Sequence, residues 1–229
     1  MKVSVVIPAH NEEKYIAKCL QQFKKQTVQP DEIIVVNNNS TDKTASILKK
    51  FNVRVIDEKK PGVISARNAG YDAAQYDIIA RCDADCLVPP HWIERIKFNF
   101  ETKSIDALTG PLHYHDLPVK NVTPVFNTYL SMISKLIKHY PLHGPNMAIT
   151  RKIWLAIRDS VCLDDSTVHE DHDISIHIHQ RGGKIEYDRY LIVKTSGRRI
   201  RNDPTTFFIE YPVRIAKTLR KHNVKLIDF

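Results

Sequence analysis

Short apolar runs alternate with helical stretches through the first third of the chain, and no other feature narrows the possible folds as much. The runs cover 3–7, 32–36, 53–56 and 78–81, all rich in Val and Ile or bounded by them. Each has the length of a strand and falls short of a self-sufficient helix. Between them, 13–25, 41–51 and 63–74 carry apolar residues at helical spacing: Ile16, Leu20 and Phe23 fall on one face, with Lys14, Lys18 and Lys24 turned away. Strands alternating with helices make parallel βαβ units. A helix over 91–100 and a strand over 107–112 continue the series, so the expected fold is α/β, a mostly parallel sheet flanked by helices. At 229 residues, 42% hydrophobic, the chain can bury one large core, and a single domain over 1–229 is expected.

In open α/β sheets, ligands sit outside the carboxyl ends of the strands. Three polar loops therefore matter: 8–12, 37–42 and 83–86. The last begins with Arg81-Cys82-Asp83-Ala84-Asp85. Alternate residues of an extended chain point the same way, so Asp83 and Asp85 can converge on one divalent cation. Mg²⁺ or Mn²⁺ is typically held by one or two carboxylates together with substrate phosphates, which makes a metal-held diphosphate the leading ligand. Neither a Gly-x-Gly-x-x-Gly after the first strand nor a Gly-x-x-x-x-Gly-Lys-Ser/Thr occurs, so a nucleotide must be held by side chains. The plainer alternative for the 37–42 loop is an ordinary turn in which Ser40 or Thr41 caps the helix that ends near Phe51.

Charge and cysteines restrict the remaining possibilities. The chain opens with one charge and a four-residue apolar run, too short for a signal peptide or a span. Cys19, Cys82, Cys86 and Cys162 form no disulfide framework, and Cys82 and Cys86 lack the second pair of a structural zinc site. A cytoplasmic protein with reduced thiols is expected. The net charge of +8 gathers late: after residue 183 there are eleven Lys or Arg against five Asp or Glu. Such a basic end suits nucleic acid, anionic lipid, an anionic substrate or nothing specific. An amphipathic stripe over 122–140 is read as a helix packed on the sheet or lying on a bilayer. With Arg198, Arg199, Arg201, Arg214, Lys217, Arg220 and Lys221 it raises peripheral contact with the cytoplasmic face of an anionic membrane.

Four ordered motifs then carry a resemblance: Val5-Val6-Ile7-Pro8-Ala9-His10-Asn11-Glu12-Glu13, Ile34-Val35-Val36-Asn37-Asn38-Asn39-Ser40-Thr41-Asp42, Ala66-Arg67-Asn68-Ala69-Gly70 and Asp83-Ala84-Asp85. With Gly144-Pro145-Asn146-Met147-Ala148 and Glu170-Asp171, the chain resembles family 2 glycosyltransferases of the GT-A fold over roughly residues 1–200. The resemblance implies a metal-dependent, inverting transfer of a hexosyl-type sugar from a nucleotide-diphospho-sugar to an acceptor hydroxyl, in cell-envelope or lipid-linked glycan synthesis. It implies a nucleotide-sugar-binding half over 1–112 and an acceptor-side half over 113–229. Pro8, Ala9, Asn11, Glu12, Asn38, Arg67 and Asp83 would bind the donor, and Asp85 with Asp83 would hold Mn²⁺ or Mg²⁺. Gly144 and Asn146 would meet the acceptor. Asp171 would be the general base, with Glu170 and Asp173 as neighbouring alternatives. The resemblance favours a UDP-sugar, but the family usually has an acidic pair where Asn37 and Asn38 stand, and that departure weakens the case for UDP and leaves a GDP-sugar open. Gln180-Arg181-Gly182-Gly183 does not match the Gln-x-x-Arg-Trp of processive synthases, so single-residue transfer is expected.

Three other readings compete. A nucleotidylyltransferase should carry a Gly-rich basic loop after the first strand, and Pro8-Ala9-His10-Asn11 is not one. A basic nucleic-acid- or membrane-binding module that keeps the fold without catalysis sits poorly with Asp83, Asp85 and Asp171 all present. His169, His172, Asp173, His177 and His179 crowd one helix, where i, i+4 pairs can chelate zinc. Yet Asp173 stands where His-Glu-x-x-His needs its second histidine, which argues against a zinc hydrolase. His143, just before Gly144, is a further candidate for the active site.

Overall fold

The computed structural model describes residues 1–117, 132–135 and 137–224. Its main sheet has seven strands: β1 (Val3–Ala9), β2 (Glu32–Asn38), β3 (Arg54–Glu58), β4 (Ile78–Arg81), β5 (Ala107–Thr109), β7 (Met147–Thr150) and β8 (Ile185–Tyr187). Their spatial order is β3-β2-β1-β4-β7-β5-β8. β1 to β4 pair in parallel, and β7 runs antiparallel between β4 and β5. A second, two-stranded sheet joins β6 (Leu112–Tyr114) to β9 (Val193–Thr195).

Period-two patterning explains why both faces are dry. Val3, Val5, Ile7 and Ala9 of β1 and Ile78 and Ala80 of β4 enter one apolar layer, while Val6, Ile34, Val36 and Ile79 enter the other. The first layer is covered by α1 (Ile16–Phe23), α2 (Thr44–Leu48) and α4 (Trp92–Thr102), the second by α3 (Val63–Ala73), α5 (Arg151–Ile157) and α6 (Glu170–Gln180). α1 buries Ile16, Cys19, Leu20 and Phe23, the i, i+3, i+4, i+7 stripe of a helix lying on a sheet. Gly70 lets α3 come close to that sheet, since a Cβ there would meet Val6 Cγ1 at 2.4 Å.

Several elements differ from the sequence expectation for local reasons. α1 starts at Ile16 because the chain turns first, with Tyr15 N–H donating to Glu12 O at 3.0 Å. Neither Ser40 nor Thr41 caps α2: Thr41 N–H and Oγ1 go to Asn11 Oδ1, and Ser40 Oγ accepts from Asn11 N–H. The single strand expected over 107–112 is two, β5 and β6, in different sheets, because Gly110 and Pro111 interrupt it. The helix expected over 122–140 lies mostly outside the described residues. Of its described part, Ile133 and Ile137 pack on Ile176 of α6 and on Ile215 and Leu219 of α8 (Tyr211–Lys221) rather than on the sheet. Among the described residues no helix is long and apolar enough to cross a membrane.

Candidate active site

The strand order turns back between β1 and β4, so the loops leaving their carboxyl ends face a shared crevice. Asn11 sits at φ 54°, a left-handed conformation that Asn tolerates better than most residues. Its Oδ1 accepts from Thr41 N–H at 2.8 Å and Asp42 N–H at 3.3 Å, tying the loop after β1 to the loop after β2. Pro8 and Ala9 finish β1, with Ala9 in the core. Asn38 is occupied by the end of β3 and the loop after it: its amide donates to Glu58 O and Lys60 O and accepts from Gly62 N–H. Asn37 differs. Its Nδ2 donates to Asp57 Oδ1 at 2.8 Å, while its buried Oδ1 has no protein partner.

Asp83 and Asp85 lie just beyond β4 in a turn closed by Cys86 N–H on Asp83 O at 3.0 Å. Asp85 Oδ1 accepts from Thr195 Oγ1 at 3.3 Å, and Oδ2 faces Arg198 Nε at 3.1 Å. The same guanidinium also bonds Glu12 Oε1 and lies over the Tyr15 ring. Arg198 begins α7 (Arg198–Asn202), and Arg199 beside it donates to Tyr211 Oη at 2.8 Å. Burial, then the charges of Asp83 and Glu12, push the Asp85 carboxyl up to about 6. Oxygen donors short of positive charge, together with the buried Glu12 Oε2 that has no partner, suit a hard divalent cation. A cleft of about 270 Å³ adjoins them, lined by Asn11, Tyr15, Asp42, Arg198 and Asn202. A larger hollow of about 540 Å³, lined by Met1, Asp77, Asp106 and Arg151, opens at the opposite end of the strands and holds none of these groups.

A buried charge network continues the crevice beyond β4. Arg81, the last residue of β4, donates from Nη1 to Glu170 Oε1 at 2.6 Å and reaches Asp171 Oδ1 at 3.4 Å, and its Nη2 reaches Asp83 Oδ1 at 3.2 Å. Asp171 Oδ2 accepts from Gly144 N–H at 2.7 Å, which fixes that carboxylate from a second direction. Gly144 has to be a glycine here: a Cβ would lie 2.7 Å from Arg81 Nη2 and 2.8 Å from Asp171 Oδ1. Glu170 faces inward and also receives Arg67 Nη1 at 2.9 Å; Arg67 is fully buried. Burial raises the Glu170 carboxyl above its ordinary value, with Arg81 acting against it.

The remaining candidates separate from this crevice. Asp173 lies two residues past Asp171, on roughly the opposite side of α6, and bonds His222. Asn146 is held by Trp92 Nε1, Pro111 O and Leu191 O. His143 is buried behind Gly144, and burial lowers its imidazole to about 4, leaving it neutral near pH 7. Arg81 and Arg198 are the site residues that the motifs did not single out. Arg81 had a readable signal, since a charge ending an apolar strand just before two aspartates needs a buried partner. Arg198 had only its place in the basic segment, and its contact with Glu12 spans 186 positions of chain. Of the other basic residues assigned to a membrane, Arg201 pairs with Asp116, Arg214 with Glu210, and Lys221 contacts Cys162.

Comparison with known proteins bears on the family and the fold. The family model described as Glycosyl transferase family 2 matches residues 4–161. Glycosyltransferase GlyG of Streptococcus pneumoniae serotype 4 is 34% identical over 120 residues, 50% of this chain and 40% of its own length. Glycosyltransferase AglE of Haloferax volcanii is 32% identical over 120 residues, 49% of this chain and 40% of its own. The chain thus spans about two fifths of the length of these curated relatives. The mannosyltransferase PcManGT from Pyrobaculum calidifontis, solved with GDP-Man and Mn²⁺, superposes with a TM-score of 0.77 at 19% identity, covering 98% of this chain and 65% of its own. Glucosyl-3-phosphoglycerate synthase from Mycobacterium tuberculosis, solved with Mn²⁺, UDP-glucose and phosphoglyceric acid, superposes with a TM-score of 0.71 at 18% identity, covering 99% and 81%. At such identities these structures establish a shared GT-A architecture. With more than half of its length matched by the family model, the chain belongs to glycosyl transferase family 2.

Proposed function

We propose that the protein transfers one sugar residue from a nucleoside diphosphate sugar to an acceptor hydroxyl, with inversion at the anomeric carbon. One observation carries this reading: Glu12 and Asp85, from the carboxyl ends of β1 and β4, converge on one cation, the Arg198 guanidinium, while Asp83 pairs with Arg81, which also reaches Asp171. Asp171, oriented by Gly144 N–H and Arg81, takes the proton from the acceptor hydroxyl as its oxygen attacks the anomeric carbon from the face opposite the departing diphosphate. Glu170 serves by holding Arg67 and Arg81 in place. Asp85, Asp83 and Glu12 would hold Mn²⁺ or Mg²⁺, which when bound supplies positive charge to the leaving diphosphate. Solved relatives in fold carry Mn²⁺ with UDP-glucose or GDP-Man, consistent with that assignment.

The Asn37 Oδ1 acceptor favours a base with an imide-type N–H on its pairing edge, as in uracil or guanine, over cytosine. The acceptor is assigned to cell-envelope or lipid-linked glycans. In support, Phe208, Ile209 and Val213 are exposed on the π-helical turn Thr206–Glu210 and on α8, next to exposed Lys217 and Arg220. The deciding experiment is calorimetry with UDP, GDP and CDP, with and without Mn²⁺, on wild type and Asp85→Ala. Metal-dependent binding of UDP or GDP that the variant loses is expected. Binding of none of the three, or binding indifferent to both metal and Asp85, would overturn the reading.

A further inference from the structure

A second cluster of ligating side chains lies behind α6, outside the proposed reaction centre. Asp173 and His177 stand one helical turn apart on the same face. His222, directly after α8, arrives from 49 residues away and places Nε2 2.8 Å from Asp173 Oδ1, while His177 Nε2 lies 3.7 Å from the same oxygen. The two imidazoles meet edge to face, with ring centroids 4.7 Å apart. All three ligand atoms lie within 4.8 Å of one another, the one such grouping of His, Cys, Asp and Glu among the described residues.

We propose that Asp173, His177 and His222 form a binding site for a divalent transition metal, with Zn²⁺ or Co²⁺ the matching class. Donors arranged tetrahedrally at about 2.0–2.1 Å from one ion lie roughly 3.3–3.4 Å apart, so the two spacings from Asp173, 2.8 and 3.7 Å, bracket that value, and the two imidazole nitrogens, within 4.8 Å of each other, close by about 1.5 Å at most. Two imidazoles, which are borderline donors, shift the preference of a site with one carboxylate towards Zn²⁺, Co²⁺ or Ni²⁺ and away from the hard ions suited to Asp83 and Asp85. The carboxylate is prepared for monodentate binding: Asp173 Oδ2 accepts Cys162 N–H at 2.9 Å, leaving Oδ1 to face both rings. Access is restricted but present, with side-chain exposures of 1%, 15% and 9% for Asp173, His177 and His222. A fourth position remains for water.

The ion would act as a clasp. It would fasten the end of α8 to α6, closing the segment that carries Arg198 onto the body that carries Asp171. Apolar contacts among Ile176, Ile215 and Leu219 already bring the two helices together, and the metal would fix their register.

The test uses the untagged full chain, stripped with chelator, carrying Asp85→Ala so that the other cation site is disabled. Zn²⁺ and Co²⁺ are titrated alone, followed by calorimetry, the visible spectrum of Co²⁺ and the thermal midpoint. One equivalent is expected, with a tetrahedral-type Co²⁺ spectrum and a raised midpoint; His177→Ala and His222→Gln should each weaken binding by about tenfold or more. Both variants are first compared metal-free, and whichever keeps the parent's midpoint is the one read. Absence of Zn²⁺ and Co²⁺ binding in the Asp85→Ala protein, or equal affinity in a folded histidine variant, would overturn the site and leave a hydrogen-bonded trio.

Discussion

Replacing Arg81 by Met is the sharpest probe of the site's electrostatics. The guanidinium is 3% exposed and is the shared partner of Glu170, Asp171 and Asp83, at 2.6, 3.4 and 3.2 Å. Methionine keeps most of the volume and removes the charge, leaving Arg67 as the remaining cation on Glu170. Breaking a buried pair from one side costs about 3–5 kcal/mol, because the abandoned carboxylates stay desolvated. With an m-value of about 2–3 kcal/mol/M, the urea midpoint should fall by roughly 1–2.5 M at pH 8. The deficit must also depend on pH. Glu170 is already held above its ordinary value by burial while Arg81 lowers it, so losing Arg81 raises it further. A carboxyl raised in the folded state gives up stability as pH climbs through its folded value and gives up none below its unfolded value. The gap between variant and wild type should therefore narrow as pH falls from 8 towards 5, and adding Glu170→Gln should recover part of it. A deficit below about 1 kcal/mol, or one constant across that range, would refute the reasoning that Arg81 chiefly compensates buried charge.

Three further predictions concern the same crevice. Asp85→Asn should stabilise the metal-free protein by about 2–3 kcal/mol at pH 8 and hardly at all near pH 4, because the Asp85 carboxyl is raised to about 6 and its stabilising contribution is lost as pH rises through that value. Urea titrations at the two pH values check it, and an equal effect at both counts against it. Gly144→Ala should abolish transfer while leaving Mn²⁺-dependent nucleotide binding intact, since its Cβ displaces Asp171 and Arg81 and leaves Asp85 and Glu12 untouched; loss of both functions would mean wider collapse. Arg198→Ala should tighten binding of Mn²⁺ alone by about tenfold at pH 8, by removing the competing cation from Asp85 and Glu12. Calorimetry with the metal alone reads it, and an unchanged Kd would show that Arg198 does not compete.

What the chain disclosed in advance follows the range of the interactions. Strand and helix identity rests on neighbours within a few residues, so the elements from β1 to α4 were legible from period-two runs such as Val3, Val5 and Ile7 and from stripes such as Ile16, Leu20 and Phe23. Boundaries depend on distant partners and were not: α2 starts late because Thr41 is spent on Asn11, thirty positions away. Site residues divide in the same way. Asp83 and Asp85 announce themselves through their spacing, and Gly144 with Asp171 through motif. The use of Glu170 as a clamp on Arg67 and Arg81 depends on partners 103 and 89 positions away. No local pattern encodes such a contact.

Arg198 makes the deeper point about the resting state. Two partly buried carboxylates from different loops, Glu12 and Asp85, cannot stay ionised side by side without compensation, and the metal-free protein must provide it. A guanidinium anchored on Tyr15 does so by bridging both oxygens, while the short helix behind it is held by Arg201 on Asp116 and Arg199 on Tyr211. A planar fork that satisfies carboxylates also satisfies phosphates. On the proposed function, a divalent cation held by Asp85 and Glu12 would displace the guanidinium, which would then lie beside the donor diphosphate. One residue would thereby balance the carboxylates in the metal-free protein and add a donor to the nucleotide-bound one, so its loss should raise affinity for the ion alone and lower affinity for the nucleotide. Those opposite signs distinguish exchange from simple structural support, which would weaken both.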